Sequence, residues 1–252
     1  MIRSMIAVLC FLNGPDGLSS SGGRLYLCCE GSGTVLSFDS TFSARTEYQG
    51  LASPEGICVT PEGRILITED TSPGRILSIK DGEAVVLASG LGCPEGIALD
   101  PFGNVWFTTG GLEAGELFTS LWRISGGEVS KVYSLPSLYS FSDLEISADG
   151  TVFICSETSE LPGIASVYSY EPVSGVFEPF CDGVSSCEGI CLTQGFFPMY
   201  LVSEHGLVFS VDSSGTPFLV CEVPGTLEDV AVFGGDLYVS EDSSGSVIRL
   251  IE

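Results

Sequence analysis

Residues 54–57 read PEGI, and residues 94–97 read PEGI again. The phrase heads two parallel stretches, PEGICVTPEGRILITEDTSPGRILSI from Pro54 and PEGIALDPFGNVWFTTG from Pro94. Four weaker copies complete the series: PDGLSSSGGRLYLCCEGSGTVLSF from Pro15, FSDLEISADGTVFICSE from Phe141, CEGICLTQGFFPMYLVSE from Cys187 and LEDVAVFGGDLYVSEDSSGSVIRL from Leu227. The second position of each copy falls at 16, 55, 95, 142, 188 and 228, so the steps are 39, 40, 47, 46 and 40 residues. Each copy joins two β-prone runs through a Gly-containing tight turn and is followed by two more strands. A period near forty with four short strands per unit marks a propeller blade. The reading is therefore all-β: a six-bladed β-propeller of four-stranded blades, a single domain over residues 1–252.

The sixth copy ends at SVIRLIE with only three strands, while SMIAVLCFL precedes the first copy where a fourth strand belongs. The N-terminal segment is expected to pair with the last blade and close the ring, which leaves no open sheet edge. It is read as a strand rather than a cleaved signal peptide, although a basic residue precedes its apolar run.

Nine Lys+Arg against 33 Asp+Glu give a net charge of −24. Such a chain repels nucleic-acid backbones and anionic membranes, so neither is an expected partner. No apolar stretch approaches the ~20 residues that span a bilayer. The sequence assigns no oligomeric state.

The ten cysteines fall into repeat positions. Cys58 and Cys191 stand where blade 3 has Ala98, Cys28 and Cys155 share another position, and Cys10, Cys181 and Cys221 fall in fourth strands. They read as reduced thiols standing in for small core residues, since residues in register on different blades are too distant for most disulfides. A cytoplasmic location is expected on that ground. Cys93 and Cys187 each precede a mouth acid and are placed to approach the channel.

In a propeller the first strand of each blade lines the central channel, and it begins at the face where the second strand ends. The starts of first strands carry Asp16, Glu55, Glu95, Ser142 with Asp143, Glu188, and Glu228 with Asp229. The ends of second strands carry Glu30, Glu69, Thr109, Glu157, Glu204 and Glu241. Acids converging in a low-dielectric funnel repel one another and need a counter-charge or protons. Arg24 and Arg64 are expected at the opposite face and Arg75, Arg123 and Arg249 on third strands, so the counter-charge is read as a bound cation. Oxygen-only ligands suit Ca²⁺, with Mg²⁺ or no metal as alternatives. The candidate metal ligands are Asp16, Glu55, Glu95, Asp143, Glu188, Glu228 and Asp229. For Glu30, Glu69, Glu157 and Glu241 a second reading stands beside this one, as caps that accept turn amides.

The single histidine, His205, follows Glu204 and is expected at the same mouth. It is either a surface residue or a general acid or base oriented by Glu204, with Glu188 as the channel carboxylate beside it. The two long steps place extra residues at 110–120, 134–141 and 158–166, where Leu135, Leu138, Tyr139, Phe141 and Leu161 are expected to give the mouth an apolar rim or to be ordinary loop variation.

The phrases PEGIALDPFGNVWFTT and EGRILITEDTSPGRILSI resemble the six-bladed superfamily of SMP-30/gluconolactonase enzymes, strictosidine-synthase-like proteins and NHL repeats. They are also similar to the blade repeats of virginiamycin B lyase. The SMP-30 resemblance implies a catalytic Ca²⁺ held by acids from blades 1 and 5, matched by Asp16 and Glu188, and by asparagines where this chain has Glu95 and Ser142 or Asp143. It implies a metal-dependent hydrolase acting on a lactone, ester or phosphoester, with His205, Glu188 and Glu204 as catalytic candidates. Two alternatives remain. One is a metal-free lyase or condensing enzyme using a channel glutamate; the other is a non-enzymatic propeller binding cations or basic ligands. In each case the expected partner is a small molecule, neutral or cationic.

Overall fold

A computed structural model describes residues 4–113 and 116–251. Six antiparallel sheets follow one another along the chain. Blade 1 is Pro15–Ser21, Arg24–Cys29, Thr34–Phe38 and Ala44–Gln49; blade 2 is Pro54–Val59, Ile65–Glu69, Gly74–Lys80 and Glu83–Leu91. Blade 3 is Pro94–Leu99, Val105–Thr109, Glu116–Ser125 and Glu128–Pro136, with the two-residue strand Leu112–Glu113 added to its third strand. Blade 4 is Phe141–Ile146, Val152–Ser156, Val167–Glu171 and Val176–Cys181; blade 5 is Cys187–Thr193, Phe196–Ser203, Leu207–Val211 and Pro217–Glu222. Blade 6 is Leu227–Phe233, Asp236–Glu241 and Ser246–Ile251, and its fourth strand is Ser4–Phe11, antiparallel to Ser246–Ile251. The N-terminal segment thus closes the ring as the repeat requires.

The first two strands of each blade turn on residues that tolerate positive φ. In blade 1 Gly22 (φ 56°) and Gly23 (φ 73°) make the two-residue turn whose twist matches a hairpin. The first strands touch in cyclic order, blade 6 against blade 1 included, and so wall the channel. The hydrophobic core lies in the seams between blades. Leu18, Leu25, Leu27, Ala231, Phe233 and Tyr238 fill the seam between blades 6 and 1. Ala98, Trp106, Leu144, Ile154 and Tyr168 fill that between blades 3 and 4.

Side chains near the ends of second strands lock the seams that follow blades 1, 2 and 3. Thr68 Oγ1 accepts Gly56 N–H at 2.7 Å and donates to Glu95 O, in the next blade, at 2.6 Å. Thr108 Oγ1 repeats the pattern with Gly96 N–H at 2.9 Å and Ser142 O at 2.7 Å. In blade 1 the donor is Cys28, whose Sγ lies 2.6 Å from Glu55 O.

Two expectations are corrected here. Phe141 is fully buried in the core of the blade 3–4 seam rather than on a rim, because it takes the inward position that Pro15, Pro54 and Pro94 hold in other blades. Leu135 and Tyr139 pack on the same core, which leaves Leu138 and Leu161 as the exposed apolar side chains of that rim. Cys58 and Cys191 line the channel cavity rather than acting only as core fillers.

Candidate functional site

At the upper face, where first strands begin, Asp16, Glu55, Glu95, Glu188 and Glu228 surround a throat of about 40 Å³, with Ser142 completing the ring in blade 4. That volume holds an ion or a few waters and excludes an organic molecule. Gly17, Gly56, Gly96 and Gly189 follow four of these acids, and their lack of a side chain lets neighbouring strands close in. Below the throat the channel opens to the lower face as a funnel of about 980 Å³, walled among others by Leu18, Ile57, Ile97, Leu144, Ile190 and Val230.

Burial first, and then neighbouring negative charge, push the ring acids far above the ordinary carboxylate range. Asp16 is raised by Glu228 and Glu30, Glu55 by Asp16 and Asp70, and Glu95 by Glu55 and Glu157. Glu188 is raised by Glu157 and Glu204, and Glu228 reaches about 7 through burial and Asp242. Glu157 is itself raised by burial, and its Oε2 accepts Ser140 Oγ at 3.1 Å. Glu95 Oε2 is buried with no partner among the described residues. Among those residues no basic side chain lines the throat.

Arginines among the described residues are engaged elsewhere. Arg24 donates to Ser37 Oγ at 2.8 Å and Arg64 to Ser78 Oγ at 2.9 Å. Arg249 pairs with Asp236, and Arg123 lies 5.5 Å over the Trp106 ring.

Asp143 and Asp229 occupy a different place from the other five candidate ligands. They stand one residue deeper, where other blades have glycine, and line both the throat and the funnel. Each is held by backbone of the next blade: Asp143 Oδ2 accepts Ile190 N–H at 3.2 Å, and Asp229 Oδ2 accepts Leu18 N–H at 2.6 Å. They tie seams together, and burial keeps Asp143 at about 7.

The second ring of acids divides into two registers. Glu69 and Glu241 are the last paired residues of their strands and turn into the blade seams. Glu69 accepts Ala52 N–H at 2.9 Å and Arg75 Nε at 2.5 Å; Glu241 accepts Thr226 N–H at 3.2 Å and Ser244 N–H at 2.9 Å. These two are caps. One residue further on, Glu30, Asp70, Glu157, Glu204 and Asp242 act electrostatically on the throat. Asp70 and Asp242 were missed in the sequence; the signal was the Glu-Asp pair ending each of these two strands, of which the second acid bears on the throat through charge.

His205 lies on the upper face, 55 % exposed, with Nε2 3.7 Å from Glu160 Oε2. Its neighbour Glu204 is exposed and bears on Glu188 through charge. Cys187, expected near the channel, is instead fully buried in the blade 4–5 core.

A cation would meet hard oxygen donors here, one of them orphaned, and its charge would relieve the repulsion. In donor chemistry the throat fits Ca²⁺ or Mg²⁺. Among the described residues, however, no three Asp, Glu, His or Cys side chains already converge on one point, so binding must draw the carboxylates inward.

No protein-family model matches the sequence, and no curated protein resembles it at the sequence level. Solved structures resemble it throughout its length. A gluconolactonase of Xanthomonas campestris superposes with a TM-score of 0.81 at 16% identity, covering 96% of this chain and 87% of the other. The calcium-binding protein regucalcin of Agrobacterium tumefaciens gives 0.76 at 15% identity, with 99% and 93% covered. Virginiamycin B lyase of Staphylococcus aureus gives 0.68 at 18% identity, with 99% and 85% covered. At these identities the likeness establishes the fold. The resemblance carried by the blade phrases is thus matched by structures of the same six-bladed type. No helix among the described residues is long and apolar enough to cross a membrane.

Proposed function

We propose, from a fold shared with the gluconolactonase and regucalcin structures, that the upper throat is a Ca²⁺ site and that the chain is a cation-dependent hydrolase of a lactone, ester or phosphoester. The carrying observation is Glu95 Oε2, buried without a partner among the described residues, in a ring of acids that no basic side chain among them enters. Asp16, Glu55, Glu95, Glu188 and Glu228 would hold the ion; Asp143 and Asp229 are committed to backbone amides. A bound cation supplies polarisation of a carbonyl or phosphoryl oxygen.

The residues of the chain do the rest. The throat is too small for an organic substrate, so the substrate rests on the upper face, against the exposed Leu138 and Leu161 of the long loops. Glu188, set between Glu157, Glu204 and Glu228, is placed to take a proton from an attacking water, and exposed Glu204 passes it to solvent. His205, at the rim beside Glu160, is available to protonate a leaving group.

The test is turnover of a panel of lactones, aryl esters and phosphotriesters by the Ca²⁺-loaded protein. The parent is expected to hydrolyse one class, and Glu188→Gln to lose at least ~100-fold in kcat/KM without a lower melting temperature. No turnover of any class, or a Glu188→Gln variant as active as the parent, removes the hydrolase reading.

A second reading is favoured by the absence of a ready-made three-ligand cluster among the described residues and by the size of the lower funnel. It is a binding propeller, in which the channel acids take up an organic cation. Affinity would then be spread over many acids, and any one substitution would cost little.

A further inference from the structure

Each of the six seams can be labelled by the next-to-last paired residue of one second strand and the first residue of the following blade. The pairs are Cys28 with Pro54, Thr68 with Pro94, Thr108 with Phe141, Cys155 with Cys187, Val202 with Leu227 and Ser240 with Pro15. Only between blades 4 and 5 are both partners cysteines. Their sulfurs lie 3.1 Å apart, and both residues are completely buried. The seam's backbone lock is made by another residue: Ser142 Oγ donates to Cys187 O at 3.0 Å and Glu188 O at 2.8 Å. Cys155 is thereby freed from the donor role that Cys28 has in blade 1.

We propose that Cys155 and Cys187 are joined by a disulfide that staples blade 4 to blade 5 when the chain folds in the presence of a thiol oxidant such as glutathione disulfide. One glutathione disulfide supplies the oxidising equivalent. Its S–S bond breaks, the Cys155–Cys187 bond forms, and the two thiol protons end on two glutathione thiols. The attacking species is a thiolate. Burial pushes the Cys155 thiol up, so the exchange belongs to folding, before the seam closes. Once formed, the bond spans 32 positions of sequence, shielded from reductant, and anchors the residue next to Glu188. Cys181 shares this core and is the competing partner; its Sγ lies 3.7 Å from Asp182 O.

The test is independent of any activity. The full chain is refolded in a glutathione redox buffer, free thiols are blocked with N-ethylmaleimide in denaturant, and the digest is mapped by mass spectrometry. The expected result is one linked peptide pair carrying Cys155 and Cys187, two hydrogens lighter than the free peptides. A melting temperature roughly 5–10 °C above that of the dithiothreitol-reduced protein accompanies it. Cys155→Ala should lose both the cross-link and the shift, and Cys187→Leu, the residue type of blade 6 at this place, should behave alike. Recovery of both cysteines in alkylated form, or linkage of either to Cys181, overturns the proposal on the parent protein alone.

Discussion

A chain carrying Gly56→Ala is expected to melt roughly 10 °C below the parent. A Cβ at residue 56 would stand 2.2 Å from Glu95 O and 3.1 Å from Gly96 Cα, and both are backbone atoms of the next blade. They cannot swing aside as a side-chain tip would. The same seam holds the Thr68 hydroxyl between Gly56 N–H and Glu95 O, so moving the strands apart also stretches these bonds. Overpacking of this kind costs about 3 kcal/mol, and a chain of this length loses about 2–4 °C per kcal/mol. Gly63→Ala is the control: its Cβ meets nothing within 4 Å, and only its φ of 75° is strained. That variant should lose about 1 kcal/mol. Equal melting of the two variants would mean that first strands do not pack backbone to backbone around the channel.

The second large effect is on pH. Burial pushes Asp143 and Glu228 up to about 7 and Glu145 up to about 8, with Asp143 adding to the rise of Glu145. In the unfolded chain these groups ionise near pH 4. From there to about pH 8 the folded protein holds more protons than the unfolded one, so its stability falls as pH rises. The stabilisation is complete below pH 4 and is lost as pH passes the folded values. Glu145 alone accounts for a loss on the order of 4 kcal/mol by pH 9. Glu145→Gln, which keeps an acceptor for Ile146 N–H, should therefore match the parent near pH 4 and melt roughly 10 °C above it at pH 9. Melting curves across this range check it. A flat profile in the parent, or no gain in the variant, would place Glu145 in contact with water or with a cation.

Fold and ring closure were legible because the repeat is long and its turns are chemically marked. The blade phrase fixes which residues begin first strands, and Ser4–Phe11 had one vacant place to fill. The mouth acids Asp16, Glu55, Glu95, Glu188 and Glu228 followed from the same register. The second ring was not legible in the same way. Slipping a strand end by one residue turns its side chain to the other face. Only the pairing of Pro54 with Glu69 and of Leu227 with Glu241 shows that these two acids face the seams while Asp70 and Asp242 follow them. Nor does the repeat reveal that Asp143 and Asp229, standing in for glycine, spend their carboxyl oxygens on amides of the neighbouring blade. Cys155 and Cys187 come from different repeat positions, and their contact follows from the way one blade leans on the next.

A cation in the throat should displace the protons that the buried acids otherwise hold, and this is measured by titrating Ca²⁺ into metal-stripped protein at pH 7.5 in two buffers of different ionisation enthalpy. One-site binding, release of at least one proton per ion and at least ~10-fold weaker binding by Glu95→Gln are the results predicted. No binding, or binding that releases no proton and is unchanged in Glu95→Gln, would contradict a cation site built from these carboxylates.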